Sequence, residues 1–391
     1  MKKRFRIMSL VLSVIMLIAC FASLNSSIFA DEVSDGFIYR VEGSEAVLTG
    51  LESSVTGDVV IPATLGGYNV VMIDGAFKNR SHINSVTLPD TVTVITKESF
   101  SNCSLRNITF SNNLFRIGQE AFFACIYLQS VVMPNSLTQL EPYTFSECSS
   151  LGTVVLSTSL GFIDKEVFKG CSELGVINIP DNINYISKDA FSDTLYYNTE
   201  SNWENGVLYI GKHLVAARSA AINGFYEIKA GTKSVSDFAF YNCSNLTGII
   251  FPLELRKIDI SAFGACRNLK KVYYAGTVEK RHNIKLGKNN SSVTNATWYY
   301  GYDPAVPMYD PGDINGDGIV DNKDLTRLFQ HLSGWEVEVQ SSVLDVNGDK
   351  ATNNKDVVRL FQYLSDWDVK IYSENTNFDY SEDDSGPVIS F

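Results

Sequence analysis

Leu151-Gly152-Thr153-Val154-Val155-Leu156, then Leu160-Gly161-Phe162-Ile163, then Phe168-Lys169-Gly170-Cys171 make up one unit of a pattern that returns along most of this chain. Its Phe recurs at Phe77, Phe100, Phe122, Phe145, Phe168 and Phe191, then at Phe240 and Phe263, in steps of 23, 22, 23, 23, 23, 49 and 23 residues. Self-similarity at such a period marks a repeat architecture built from one supersecondary unit. Each unit reads as a strand, a second extended segment and a short Phe-bearing helical turn. Strand neighbours point to opposite faces, so Val86/Leu88, Ile108/Phe110, Val131/Met133, Val154/Leu156, Ile177/Ile179, Ile249/Phe251 and Val272/Tyr274 face inward. One unit cannot bury such a face alone, and the units must stack into a right-handed solenoid with a parallel sheet on one side.

Six cysteines keep the same period: Cys103, Cys125, Cys148, Cys171, Cys243 and Cys266 each lie three residues after a repeat Phe. Residues at one repeat position stack with parallel side-chain vectors, a poor match to disulfide torsions. The expectation is a ladder of buried free thiols, with Arg80 and Thr194 in the same slot of the two units that lack Cys.

This frame resembles the BspA-like, or type 5, leucine-rich repeats of bacterial surface proteins and of some parasitic protists. The resemblance includes an opening segment, Gly66-Gly67-Tyr68-Asn69-Val70 leading to Ile73-Asp74-Gly75-Ala76-Phe77, and a closing cap from Val272-Tyr273-Tyr274 to Thr297-Trp298-Tyr299. It implies a leucine-rich-repeat solenoid with both caps over residues 31–300. An insertion at about 192–234 contains Asn205-Gly206-Val207-Leu208-Tyr209-Ile210, expected to make a hairpin excursion before the ladder resumes at Val235.

The outward column of the strands carries Thr87, Thr109, Val132, Val155, Asn178, Ile250 and Tyr273. Val132, Val155, Ile250 and Tyr273 are candidate ligand-face residues, because solvated monomers seldom keep a contiguous apolar strip. The competing account is that β-branched residues simply suit a pleated surface. No Gly-x-Ser-x-Gly elbow, His-Glu-x-x-His helix or phosphate-cradling loop is present, and His82, His213, His282 and His331 are scattered. The chain reads as non-catalytic.

Lys2, Lys3, Arg4 and Arg6, an apolar run from Ile7 to Leu24, and Ser26-Ser27-Ile28-Phe29-Ala30 before Asp31 have the layout of a secretory signal peptide over residues 1–30. The alternative is a lipoprotein box, Leu17-Ile18-Ala19-Cys20, that leaves a lipidated Cys20. Removing residues 1–30 takes four basic side chains and no acidic one, so the formal charge falls from −12 to −16. Such a surface disfavours nucleic acid and anionic membranes and favours hard cations. No second apolar run reaches the ~18 residues of a membrane span.

After a Pro- and Tyr-containing linker at 301–311, the chain reads Asp313-Ile314-Asn315-Gly316-Asp317-Gly318-Ile319-Val320-Asp321-Asn322-Lys323-Asp324, and 32 residues on it reads Asp345-Val346-Asn347-Gly348-Asp349-Lys350-Ala351-Thr352-Asn353-Asn354-Lys355-Asp356. Both keep the twelve-residue EF-hand spacing. Side-chain oxygens come from Asp313, Asn315, Asp317, Asp321 and Asp324 with the Ile319 carbonyl, and from Asp345, Asn347, Asp349, Asn353 and Asp356 with the Ala351 carbonyl. Two Ca2+ sites follow. The second should be the weaker, with one carboxylate fewer and Lys350 at the sharp turn where Gly is preferred. Each loop opens an amphipathic helix with apolar residues at i, i+3, i+4 and i+7.

A duplicated loop–helix pair without an entering helix resembles a type I dockerin, here a small all-α module over residues 312–370. The resemblance implies Ca2+-dependent docking to a cohesin domain of a scaffoldin in a cellulosome-type complex that degrades plant cell-wall polysaccharide. It places recognition on Asn322, Lys323, Phe329 and Gln330, and on Asn354, Lys355, Phe361 and Gln362. The two Phe residues have a second reading, as members of the module's own core. The solenoid would then hold a protein or polysaccharide ligand of a secreted component. Alternatives are a hydrolase subunit with an unrecognised active site and a surface adhesin anchored through Cys20. The acidic, Ser/Asn-rich tail 371–391 reads as disordered.

Overall fold

A computed structural model describes residues 31–302, 310–317, 319–349, 351–369 and 371. The leader with Cys20, most of the linker, Gly318, Lys350 and nearly all of the tail lie outside the described residues.

The repeats stack as a solenoid with two parallel ladders. One ladder contains the strands expected from alternation at Ile83–Thr87, Asn107–Thr109, Ser130–Val132, Thr153–Val155, Leu246–Phe251 and Lys271–Tyr274, joined by Gly57–Val60, Gly224–Glu227 and Thr297–Tyr300, while the strand expected at Ile177/Ile179 does not form. Their registers, such as Val132 beside Val155 and Ile249 beside Val272, put one repeat position in line with the next. The second extended segment makes its own ladder, including Val94–Ile95, Arg116–Ile117 and Gln139–Leu140. At the open end, Phe37–Glu42 and Glu45–Leu51 form an antiparallel pair that joins Tyr68–Ile73 in parallel. The far end closes with Trp298, whose indole N–H donates to the Val293 carbonyl at 3.0 Å under the Arg281 guanidinium.

The third side holds the repeat Phe. Its turn closes on itself, as in Cys103 N to Phe100 O at 3.0 Å, and also bonds to the next repeat: Glu98 N to Gln119 O, Phe100 N to Ala121 O and Asn102 N to Phe123 O, at 3.0, 2.7 and 2.8 Å. This requires left-handed backbone two residues before and two after the Phe, seen at Glu98 and Asn102 (φ 58° and 55°), Glu120 and Ala124, Tyr143 and Glu147. A non-Gly residue there costs about 1–2 kcal/mol, and three backbone bonds return about 0.5–1.5 kcal/mol each, so the turn roughly breaks even. Burying the Phe, worth about 1.5–3 kcal/mol, decides the balance. The rings stack in register, with centroids 4.6, 4.7, 5.0, 5.7 and 5.2 Å apart from Phe77 to Phe191.

The cysteines occupy their slot for a specific reason. The thiols of Cys125, Cys148, Cys171 and Cys266 donate to the carbonyl of the preceding repeat's Phe at 3.0–3.2 Å. In the two units without Cys, the Arg80 guanidinium reaches the Leu51 carbonyl and the Thr194 hydroxyl donates to Phe191 O. All six cysteines are buried and free.

The insertion stays within the stack. Val207–Ile210 and His213–Ala217 pair antiparallel, and the return strand then pairs in parallel with Ser234–Val235. The hairpin divides the core in two: Ile210 and Val215 pack with the first repeats, and Val207, Tyr209 and Leu214 with the last. Side chains bridge the seam. Asp237 accepts from Lys188 N and the Ser187 hydroxyl at 2.8 and 3.1 Å. On the outward side the stretch 175–180 pairs with no strand.

Two measurements check this packing. Burial pushes the Cys103 and Cys243 thiols up to about 12 and Cys266 to about 11, so the six should be silent to a thiol reagent at pH 8 in the native state and all react in denaturant. His213, buried with Nδ1 2.8 Å from the Ser234 hydroxyl, is pushed down to about 4 by burial and then by Lys233. Its folded value lies below the ordinary ~6.5, so its contribution is complete above pH ~6.5 and is lost as the pH falls towards 4, a loss on the order of 3 kcal/mol. A His213→Gln variant should lack that acid limb in a melting-temperature profile.

Candidate functional site

Two eleven-residue helices, Asn322–Leu332 and Asn354–Leu364, pack against each other in the C-terminal module. Leu328 and Leu360 are fully buried with Ile314, Val343, Leu344 and Val346. Each helix starts on a capping box that is also the end of a candidate metal loop. Asp321 and Asn353, at loop position 9, are N-caps whose side chains accept from Lys323 N and Lys355 N at 2.7 and 2.9 Å. The position 12 acids return the bond: Asp324 Oδ2 accepts from Asp321 N, and Asp356 Oδ2 from Asn353 N, both at 2.8 Å. Their other oxygens accept from Asn315 N and Asn347 N at 3.0 and 2.9 Å, strapping each loop across nine residues. Both carboxylates are fully buried.

Within the loops the remaining oxygens cap successive backbone N–H groups. Asn315 Oδ1 accepts from Asp317 N and Asp317 Oδ1 from Ile319 N; Asn347 Oδ1 accepts from Asp349 N and Asp349 Oδ1 from Ala351 N, all at 2.8–3.1 Å. In the second loop, Asp345 Oδ1 also accepts from Gly348 N and Asp349 N. Lys323 Nζ lies 3.6 and 3.5 Å from Asp317 and Asp321, and Lys355 Nζ 3.3 Å from Asp349. Asp321 and then Asp317 hold the Lys323 ammonium above its ordinary range. Among the described residues no three His, Cys, Asp or Glu side chains form a ready metal cage. The donor set nonetheless suits a hard cation, being entirely oxygen and rich in carboxylate. The fit lies in residue type and spacing, and binding would turn these oxygens inward. A two-oxygen grip by Asp324 or Asp356 would draw on lone pairs left over from their backbone bonds. The buried Asn347 Nδ2 has no hydrogen-bond partner, a cost of about 1–3 kcal/mol carried by the second loop.

The expected recognition residues fall on the module's outer surface. Asn322, Lys323, Asn354 and Lys355 are exposed, and Gln330 and Gln362 half-buried. Phe329 is 59% exposed and Phe361 53%, so neither belongs to the module's core, which Leu328 and Leu360 fill with Ile314, Val343, Leu344 and Val346. Trp335 and Trp367, 61% and 57% exposed, extend the two surfaces at equivalent positions. Sequence reasoning passed over them, although each of the two near-copy stretches ends on that Trp, three residues past its helix.

The solenoid residues do not form one strip. Val132 and Val155 are exposed in the first half, whereas Ile250 is half-buried and Tyr273 only 8% exposed. Tyr299 stacks on Tyr273 at 4.7 Å, and Tyr302 and Phe225 lie at 5.8 and 5.7 Å. Asp310 at the linker's end ties down this aromatic group through Lys271 Nζ at 2.6 Å. Burial and then Asp310 push the Tyr273 hydroxyl well above its ordinary range.

The family model for the BspA type leucine rich repeat region matches six copies over residues 72–198 and 203–295. The chain belongs to this leucine-rich-repeat family. A dockerin type I domain matches residues 311–365, and dockerins of this type bind calcium. Leucine-rich repeats and dockerins are both non-catalytic kinds of domain. Among solved structures, a leucine rich cell surface protein from Faecalibacterium prausnitzii A2-165 is 22% identical, covering 72% of this chain and 97% of that one with a TM-score of 0.40. The pneumococcal vaccine antigen PcpA is 15% identical over 73% and 91% (TM-score 0.40), and a leucine-rich repeat protein from Bacteroides ovatus ATCC 8483 is 21% identical over 69% and 79% (TM-score 0.38). No curated protein sequence matches. Among the described residues no helix is long and apolar enough to cross a membrane.

Core and surface roles separate by mutation. Leu328→Ala should destabilise the module by about 2–5 kcal/mol. Phe329→Ala and Trp335→Ala should change its unfolding free energy by less than about 0.5 kcal/mol, as measured by denaturant titration followed by circular dichroism.

Proposed function

We propose that this protein is a secreted, non-catalytic component of a cellulosome-type complex. Its dockerin plugs into a cohesin domain of a scaffoldin, and its solenoid carries a protein or plant cell-wall polysaccharide ligand. The observation that supports this most is the duplicated surface of the C-terminal module: exposed Asn, Lys and Phe at equivalent places on two near-identical helices, with an exposed Trp just past each, and each helix rooted in an acidic loop. Large exposed aromatics on a small module are interface residues by composition. Equivalent faces let either helix meet the partner after a half-turn.

Two calcium ions, one per loop, would bind through Asp313, Asn315, Asp317, Asp321 and Asp324 with the Ile319 carbonyl, and through the matching set from Asp345 to Asp356. What the ion supplies is charge neutralisation: it lets the loop acids converge without mutual repulsion. The protein residues do the rest. Asp324 and Asp356 tie each loop to its helix, so a loop ordered by metal presents its helix at a fixed angle. A ligand that binds only the folded form stabilises it by about 2.7 kcal/mol at a hundredfold excess over Kd. The first site should be the tighter, having the extra carboxylate at Asp321 and no lysine at position six.

Capture on an immobilised cohesin domain tests the reading. The full chain should be retained with Ca2+ and released by EDTA. Phe329→Ala or Phe361→Ala alone should leave capture largely intact, and the double variant should abolish it. In calcium titrations Asp317→Ala should lose more affinity than Asp349→Ala; equal losses would overturn the ranking, and capture indifferent to EDTA would end the proposal.

A further inference from the structure

A cleft of about 530 Å3 opens beside the inserted hairpin, where the outward sheet restarts at Gly224–Glu227. Glu204 and Asn205 border it at the turn that leads into Val207–Ile210, with Tyr209, Phe225, Glu227 and Lys229 around them. Its volume lies within the ordinary range of small-ligand sites.

Two features mark it as built. Phe225 is 53% exposed, yet its ring is held in place. It lies over Gly248, where an added Cβ would stand 2.2 Å from the ring, and leans on Tyr273 at 5.7 Å. Other units carry Ser130, Thr153 or Lys271 at that register position, so a mid-strand glycine there answers to the ring. The polar wall is equally constrained. The Tyr209 hydroxyl sits 3.1 Å from that of Tyr226 and accepts from Lys229 N at 3.2 Å, and Lys229 Nζ pairs with Glu204 at 2.9 Å.

The chemistry selects the ligand class. With Glu204 balanced by Lys229, the exposed Glu227 leaves the lining acidic, which disfavours anions. A mostly polar lining disfavours lipid. A neutral sugar ring meets both halves of the site, laying its C–H face on the electron-rich Phe225 ring while its hydroxyls donate to Glu227 and bond to the Asn205 amide.

We propose that this cleft is a saccharide-binding subsite of the solenoid, with Phe225 the stacking platform, Glu227 and Asn205 the hydroxyl partners, and Gly248 a positioning residue. This rests on the polysaccharide arm of the functional reading. The test is calorimetric titration of the full chain, in saturating Ca2+, with neutral β-1,4-linked gluco- and xylo-oligosaccharides, beside retention on the insoluble polysaccharides. Phe225→Leu, which keeps bulk but loses the ring, should weaken binding about tenfold or more, and Phe225→Trp should retain it. Gly248→Ala should weaken it without touching the cleft, at an unchanged melting temperature. Wild-type binding undiminished by Phe225→Leu and Glu227→Gln would remove the cleft and leave the polysaccharide reading standing. A wild-type chain that binds no neutral glycan in either format removes both.

Discussion

A Phe-bearing turn in this solenoid finds its backbone partners in the next repeat. The left-handed residues on either side of Phe100 turn their own N–H groups towards the Gln119 and Phe123 carbonyls and leave that of Phe100 to bond Ala121. An isolated repeat would hold the strain of that backbone without the bonds that offset it, so folding is worthwhile only for the stack. The Phe rings and the thiol-to-carbonyl bonds of the cysteine ladder tie the same neighbours together. A period fixed to within one residue follows, since one residue of slippage would move every ring, thiol and strand at once.

The same constraint makes the ends and the seam important. A stack has two open faces. The antiparallel pair from Phe37 to Leu51 closes one, and Trp298, Tyr300 and Tyr274 close the other. The 49-residue step is a third break, because the ring column stops at Phe191 and restarts at Phe240. The hairpin fills it with strands buried on both faces, which explains why Val207–Ile210 reads as a continuous apolar run. It cannot continue both ladders. The outward sheet lapses across 175–180 and restarts at Gly224–Glu227, where the insertion borders a cleft on a face that repetition alone would leave featureless.

The C-terminal module solves a different problem with little core. Six buried apolar residues hold two helices together, and the loops supply the rest of the organisation. Each position 12 acid is at once the far end of the candidate metal loop and the N3 residue of a capping box. A substitution at Asp324 would therefore disturb helix initiation and loop closure together, whereas one at Asp317 acts on the loop alone.

Much of this was legible in the chain as written. The Phe and Cys period, strand alternation and paired acidic turns are local patterns, and stacking identical units converts local pattern into fold with few choices left. The proposed loop ligands are likewise close together in sequence, so their spacing can be read without knowing how distant segments meet. What the sequence did not settle depends on how unlike segments meet. Phe329 and Phe361 share helical spacing with the core leucines, and only the filling of that core by Ile314, Val343 and Val346 turned them outward. Tyr273 shares a register position with exposed Val132 and Val155, and it was covered because Phe225, Tyr299 and Tyr302 converge on it from the insertion and the closing cap. Periodicity can assign a side chain to a face; whether that face meets solvent is decided by distant parts of the chain, and for that the tertiary structure was needed.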